Sequence, residues 1–176
     1  MAAGNSARLM VEACSGAAGP TTLALVAAAR QTGGRVACVV RGEDDVRASI
    51  TALGEEAVNV EFVTAGDDAA GLLMGKYARA DFVIVDCKME GHERVLGAAR
   101  AGSARIVVGY NAFCDGSWWR DGEREEMVLP IGEGLRVCRV VGEEKRRRRW
   151  VVRVDECTGE EHVFRIVNSQ RKGIRV

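Results

Sequence analysis

The stretch Val11-Glu12-Ala13-Cys14-Ser15-Gly16-Ala17-Ala18-Gly19-Pro20-Thr21-Thr22 places a carboxylate, a thiol and a hydroxyl beside a turn that glycines keep bare. Glycines without side chains, and the backbone N–H groups of a helix N-terminus, let a polar, nucleotide-like ligand approach the main chain closely. Capture of a small polar ligand is the chemistry this pattern suggests. A second concentration, Lys145-Arg146-Arg147-Arg148-Arg149-Trp150, sets cations beside an aromatic, a combination that grips phosphates and stacks a base.

Positioning the first group of residues takes strands that end in turns and helices that begin at them. Short apolar runs begin near Leu9, Val36, Val58, Phe82 and Ile106, and helical spacing lies between them, as in Leu23, Val26, Ala27 and the apolar stem of Arg30. Continuous runs such as Phe82-Val83-Ile84-Val85 suit strands covered on both faces, the mark of a parallel sheet with crossover helices. The fold class is therefore α/β. Pro20-Thr21 and Asp44-Asp45 read as helix starts, Gly33-Gly34 as a helix stop, and Asp67-Asp68 as carboxylates at another positive helix end. Ligands of such sheets sit beyond the carboxyl ends of the strands where the winding reverses, so Cys14–Gly19 and Asp86–Gly91 are expected to face each other. After about Leu129 the texture changes to Leu135–Val141, Arg149–Val154 and Val163–Ile166, joined by polar turns, which reads as antiparallel structure. Residues 1–141 form the expected α/β domain, and 142–176 a C-terminal basic β-ribbon extension of it.

At 176 residues and 47% hydrophobic, the chain suits one domain that buries roughly 70% of its unfolded surface. Twenty-five basic and 25 acidic side chains cancel, so no global field draws the molecule to nucleic acid or to an anionic membrane. The six cysteines, at 14, 38, 87, 114, 138 and 157, include no Cys-x-x-Cys pair, and several sit inside apolar runs. Buried reduced thiols are expected ahead of zinc or a disulfide framework. No stretch approaches the ~20 apolar residues of a membrane span, and the N-terminus has no signal-peptide pattern. A cytosolic location is expected, with nuclear entry open.

Val11-Glu12 followed by Gly16, Gly19 and Thr22-Leu23-Ala24-Leu25 resembles the first motif of S-adenosylmethionine-dependent O-methyltransferases of the catechol and caffeoyl-CoA type. Gly66-Asp67 with Ala69, Asp81–Asp86, Gly109-Tyr110-Asn111 and Leu129–Leu135 match later motifs of that family in order. Throughout its length the chain is also similar to a plant family of unknown function, domain of unknown function 1442, whose members are described as methyltransferase-like. The resemblance implies a Rossmann-like, methyltransferase-like fold and S-adenosylmethionine as cofactor. On that footing Glu12 would fix the methionine end of the cofactor. Gly16 and Gly19 would admit the backbone approach in the turn that Cys14 and Ser15 open, and Gly66-Asp67 would flank the adenine.

The departures bear on chemistry. Cys14 stands where the family has its first motif glycine. The family's acid at the end of the second strand accepts both ribose hydroxyls, but here the sequence runs Val39-Val40-Arg41, and Glu43 is the nearest acid. Losing charged hydrogen bonds worth ~1.5–3 kcal/mol each costs on the order of 10- to 100-fold in affinity unless Glu43 substitutes. Arg41 fits a solvated strand end or a phosphate-bearing ligand. Cation-dependent members draw acidic oxygens from Val-Asp-Ala-Asp-Lys and Gly-Tyr-Asp-Asn stretches. This chain keeps Asp86 and Asn111 and sets Lys88 where a hard cation needs oxygen, so no metal is expected. Asp86 then orients ligand or caps the following helix. His92 is a base beside the loop or a first-turn surface histidine, and Trp118-Trp119 wall the site or pack on the sheet.

Three functions follow: an S-adenosylmethionine-dependent methyltransferase-like protein with a small-molecule or nucleoside ligand, a non-catalytic interaction module on the same scaffold, or a nucleic-acid binder using the basic ribbon. Against the last, Glu143-Glu144 precede the basic run, and Glu160-Glu161 are expected opposite it, pairing across strands.

Overall fold

Five apolar runs become parallel strands because helices cover both of their faces. They are β1 (Leu9–Ala13), β2 (Arg35–Val40), β3 (Val60–Thr64), β4 (Phe82–Asp86) and β5 (Ile106–Tyr110). The structure is a computed structural model that describes residues 1–114, 126–140, 149–154 and 161–166. The strands β6 (Glu126–Leu129) and β7 (Leu135–Arg139) complete a seven-stranded sheet of order β3-β2-β1-β4-β5-β7-β6. Strands β1 to β5 are parallel, β7 is antiparallel to β5, and β6 is antiparallel to β7. β1 is buried along its whole length and lies between β2 and β4, so the winding reverses at its carboxyl end.

Strand alternation sorts the core into two layers. Met10, Cys14, Val36, Cys38, Ile84 and Val108 meet α1 (Pro20–Thr32) and α2 (Glu43–Leu53) through Leu25, Val26, Ala29 and Leu53. Val11, Ala13, Val39, Val83, Val85 and Val107 meet α3 (Ala69–Met74) and α4 (His92–Ala101) through Ala70, Leu73, Val95 and Leu96. Helices α1 and α3 begin where the sequence signals them. Pro20 opens α1, Gly33 closes it at φ 64°, and Asp68 caps α3 by accepting from Gly71 N at 3.1 Å.

Two expectations about faces and boundaries are corrected. The buried stripe of α1 is Thr22, Leu25, Val26 and Ala29, while Leu23, Ala27 and Arg30 are exposed. The run Leu23–Ala29 is apolar at all seven positions, so hydrophobicity does not fix the rotation of the helix; the Thr22 hydroxyl, which reaches the Glu12 carboxylate of β1, does. Val58 belongs to a 3-10 segment, Gly54–Asn59, and is 87% exposed; the strand begins at Val60, the first buried position of that run.

The chain falls into two compact units, Met1–Val140 and Val141–Val176. In the second, β8 (Arg149–Val154) and β9 (Glu161–Ile166) form a two-stranded antiparallel sheet. Its register sets Arg149 opposite Ile166 and Glu161 opposite Val154, so the expected acid-against-base pairing does not occur at those two positions. Trp118-Trp119, Lys145–Arg148 and Glu160 lie outside the described residues. Among the described residues no helix is long and apolar enough to cross a membrane.

Candidate functional site

Parallel packing brings the loops after β1, β2, β3 and β4 to one end of the sheet, and there they enclose an open cavity of about 480 Å³. Cys14 and Ser15 enter it from the first loop, Arg41 from the second, and Gly66 and Asp67 from the third. Lys88, Met89 and Glu90 enter from the fourth. Val39, Ala65, Ala70 and Val95 give it an apolar wall. The size falls within the roughly 300–1,000 Å³ of small-molecule sites, and an apolar wall with a few convergent polar groups is their usual lining.

The bare turns face space rather than protein. A Cβ added at Gly16, Gly19 or Gly66 would meet no heavy atom within 4 Å, and Gly66 has φ +55°. Packing therefore does not require glycine at position 16 or 19, whereas backbone conformation requires it at 66. The first loop is held from behind: Cys14 N donates to Val39 O at 3.0 Å, Ala18 N to Ser49 Oγ at 2.8 Å, and Gly19 N to Thr22 Oγ1 at 3.2 Å.

Asp86, at the end of β4, ties three loops together. Its carboxylate accepts from the Ser15 hydroxyl, from Asn111 Nδ2 at 2.7 Å and from Lys88 N at 3.0 Å. Burial pushes this carboxyl up, but the hydrogen bonds from Ser15, Asn111 and the Lys88 backbone outweigh it, so the group lies below the ordinary carboxylate range. The start of α4 is not where it acts, because Gly91 is the N-cap residue and no side chain caps it. Asn111 adopts φ 56°, a left-handed conformation that asparagine tolerates.

Glu12 lies beneath the first loop and is 1% exposed. Thr22 Oγ1 donates to its Oε2 at 2.6 Å, and Tyr110 OH to its Oε1 at 3.4 Å. Burial pushes its carboxyl up to about 6, against the pull of the bonds from Thr22, Tyr110 and Cys14. Beside it the Cys14 and Cys38 sulfurs stand 3.3 Å apart, and the shared S–H···S contact and burial hold the Cys14 thiol far above its usual range. One ligand atom each from Glu12, Cys14 and Cys38 lies within 4.8 Å of the others.

Of the residues singled out from sequence, Cys14, Ser15, Gly66 and Asp67 line the cavity, and Glu12 and Asp86 support its loops from behind. Gly16 and Gly19 lie on the same loop with open space beyond them. Glu43 is an exposed residue in the first turn of α2 and is not brought to the cavity. Arg41 occupies that position instead and pairs with Asp67 at 3.1 Å on the rim. His92 opens α4 outside the cavity lining, with Nδ1 3.2 Å from Met89 O. Sequence reasoning missed Glu90 and Arg94 as lining residues, and it missed Thr22 as the partner of Glu12. A hydroxyl three residues after Gly19, at the first turn of a helix, was the available signal for the last.

The fold is similar to that of solved methyltransferases. SAH-bound Podospora anserina methyltransferase PaMTH1 is 15% identical with a TM-score of 0.58, covering 78% of this chain and 74% of its own. A methyltransferase from Geobacter sulfurreducens is 19% identical with a TM-score of 0.56, covering 80% and 74%. The O-methyltransferase from Bacillus cereus in complex with SAH is 16% identical with a TM-score of 0.53, covering 78% and 76%. These likenesses establish a Rossmann-like methyltransferase fold. No curated protein sequence matches the chain. Residues 1–166 match the model of the family described as "Protein of unknown function (DUF1442)", and the chain belongs to that family.

Proposed function

We propose that this protein binds S-adenosylmethionine or a related nucleoside in the cavity at the carboxyl ends of β1 to β4 and acts as a methyltransferase-like protein. The observation that carries the reading is the open cavity at the reversal point of the sheet, with free space over Gly16 and Gly66. A scaffold that had become a purely structural interaction module would be expected to have filled that space. The fold shared with SAH-bound methyltransferases supports the same choice.

In this reading the apolar wall of Val39, Ala65, Ala70 and Val95 receives the purine face, and Gly16 and Gly19 admit the polar chain of the ligand against the backbone. Asp67, which Arg41 holds at the rim, is the carboxylate offered to the ribose hydroxyls in place of Glu43. An exposed pair of this kind contributes only about 0–1 kcal/mol, so Arg41 can yield Asp67 to a ligand at little cost. Glu12 and Asp86 act from beneath, fixing α1 against β1 and fixing the first loop against the fourth and fifth. When bound, the cofactor's sulfonium supplies the electrophilic methyl group, and the protein's task is to align an acceptor with it.

Calorimetric titration with S-adenosylmethionine and S-adenosylhomocysteine tests the proposal. Saturable heat with one site per chain is expected. Absence of both heat and thermal shift at millimolar ligand would overturn it.

A further inference from the structure

We propose that Glu12, Cys14 and Cys38 form a binding site for one borderline-soft divalent cation, Zn²⁺ by the chemistry of the donors, in the layer between β1, β2 and α1. The sequence spacing argued against a metal because the two thiols are 24 residues apart. Parallel pairing removes that separation, since Glu12 stands opposite Cys38 in the register and Cys14 N bonds Val39 O.

The donors fit that ion and not a hard one. Two sulfurs and one carboxylate oxygen suit zinc, whereas magnesium and calcium take oxygen alone. Zn–S bonds of about 2.3 Å at a tetrahedral angle place two sulfurs about 3.8 Å apart. The observed 3.3 Å therefore requires the thiols to part by roughly half an ångström. The third donor already lies within 4.8 Å of both sulfurs. Among the described residues this is the one such grouping, and all three members are buried.

Charge balance points the same way. A buried carboxylate is ordinarily paired with a cation or bound to a metal. The named partners of Glu12 are the hydroxyls of Thr22 and Tyr110 and the Cys14 thiol, and the charged neighbour that acts on it, Asp86, is itself an anion. Zn²⁺ against two thiolates and one carboxylate carries a net charge of −1, the same as the carboxylate alone, so the buried anion gains a cation beside it with no added net charge. Thr22 and Tyr110, one on each Glu12 oxygen, are placed as the outer hydrogen bonds that orient a metal-ligating carboxylate. Cys14 also lines the open cavity, which gives the ion an entry path and leaves its fourth position to water or to a donor from the cavity side. On binding, Cys14 and Cys38 each lose a proton to solvent and each forms a sulfur–zinc bond; nothing is oxidised or reduced.

The test uses the full chain, stripped with a chelator and titrated with Co²⁺ as a spectroscopic probe. One Co²⁺ per chain with thiolate-to-metal charge-transfer absorption is expected, and Zn²⁺ should displace it. Cys38→Ser should weaken Co²⁺ binding at least tenfold. In the unsubstituted chain, Zn²⁺ should slow alkylation of Cys14 and Cys38 at least tenfold while the exposed Cys114 reacts at an unchanged rate. That measurement decides the matter should the variant not fold. Absence of charge transfer, its survival in Cys38→Ser, or equal protection of Cys114 would overturn the site. Uptake of metal without heat from S-adenosylhomocysteine defeats only the methyltransferase reading, and the converse defeats only this one.

Discussion

Asn111 Nδ2 donates to Asp86 Oδ1 at 2.7 Å, and the same carboxylate accepts from the Ser15 hydroxyl, so one charge spans the ends of β1, β4 and β5. Two of those loops, the first and the fourth, line the cavity. The cavity's shape therefore depends on a hydrogen-bonded anion in the fold itself.

Removing that anion should be expensive. Asp86→Ala leaves the Ser15 hydroxyl and the Asn111 amide without their acceptor, and hydrogen bonds to charged groups contribute about 1.5–3 kcal/mol each. Urea unfolding at pH 7 should show a loss of roughly 3–6 kcal/mol. The pH dependence has a definite sign. Asp86 lies below the ordinary value of 3.8 in the folded protein, so its contribution is present above the unfolded value and lost as pH falls through the lower, folded one. The gap between wild type and Asp86→Ala should therefore stay level from pH 7 to about 4 and close below that. A gap that already shrinks between pH 7 and 5 would contradict the assignment.

Glycines 16 and 66 separate stability from binding. Gly16→Val meets open space and no positive φ, so its stability should change by less than about 0.5 kcal/mol. Its side chain would project from the turn, and affinity for S-adenosylhomocysteine should fall at least tenfold. Gly66→Ala should cost roughly 1–2 kcal/mol, because φ +55° is strained for any residue with a Cβ. Unchanged ligand affinity in a folded Gly16→Val protein would place the ligand elsewhere.

The fold was legible because each level of the sequence agreed with the next. Continuous apolar strands, Pro20 at a helix start and Gly33 at its stop all named the same elements that packing then required. The site was legible in part. Gly66 and Asp67, expected from motif order, line the cavity, whereas Glu43, the nearest acid to the end of β2, does not, because whether the first residue of a helix can reach back to a strand end is decided by backbone direction and not by spacing. The rotation of α1 was hidden by the unbroken apolar run Leu23–Ala29. The Cys14–Cys38 contact was hidden because parallel register joins residues that no short motif links.

Thr22 is expected to be the most sensitive residue of α1. Its hydroxyl donates to Glu12 and accepts from Gly19 N, so one group serves both the buried carboxylate and the first loop. Thr22→Val preserves shape and removes both bonds, at an expected cost of about 2–3 kcal/mol in urea unfolding. Thr22→Ser keeps the hydroxyl and should recover most of the loss. Equal destabilisation by the two substitutions would mean that the methyl group, not the hydroxyl, holds the helix in place.

The second unit makes its own prediction. The register sets Trp150 opposite Arg165 and Arg149 opposite Ile166, so an acid does not stand across from the end of the basic run at Arg149. Lys145 to Arg149 supply five cations in succession. Each phosphate they neutralise on a single strand contributes about 0.7 to the slope of log K against log salt. Were the ribbon to bind single-stranded RNA through these cations, the affinity would weaken with salt, with a slope of magnitude up to about 3.5. Replacing Arg146 to Arg149 with glutamine should remove four of those contacts, lowering the slope and the affinity together while leaving calorimetric binding of S-adenosylhomocysteine unchanged. RNA binding that ignores salt, or that survives the replacement, would mean that the basic run is a charged strand flank with no nucleic-acid role.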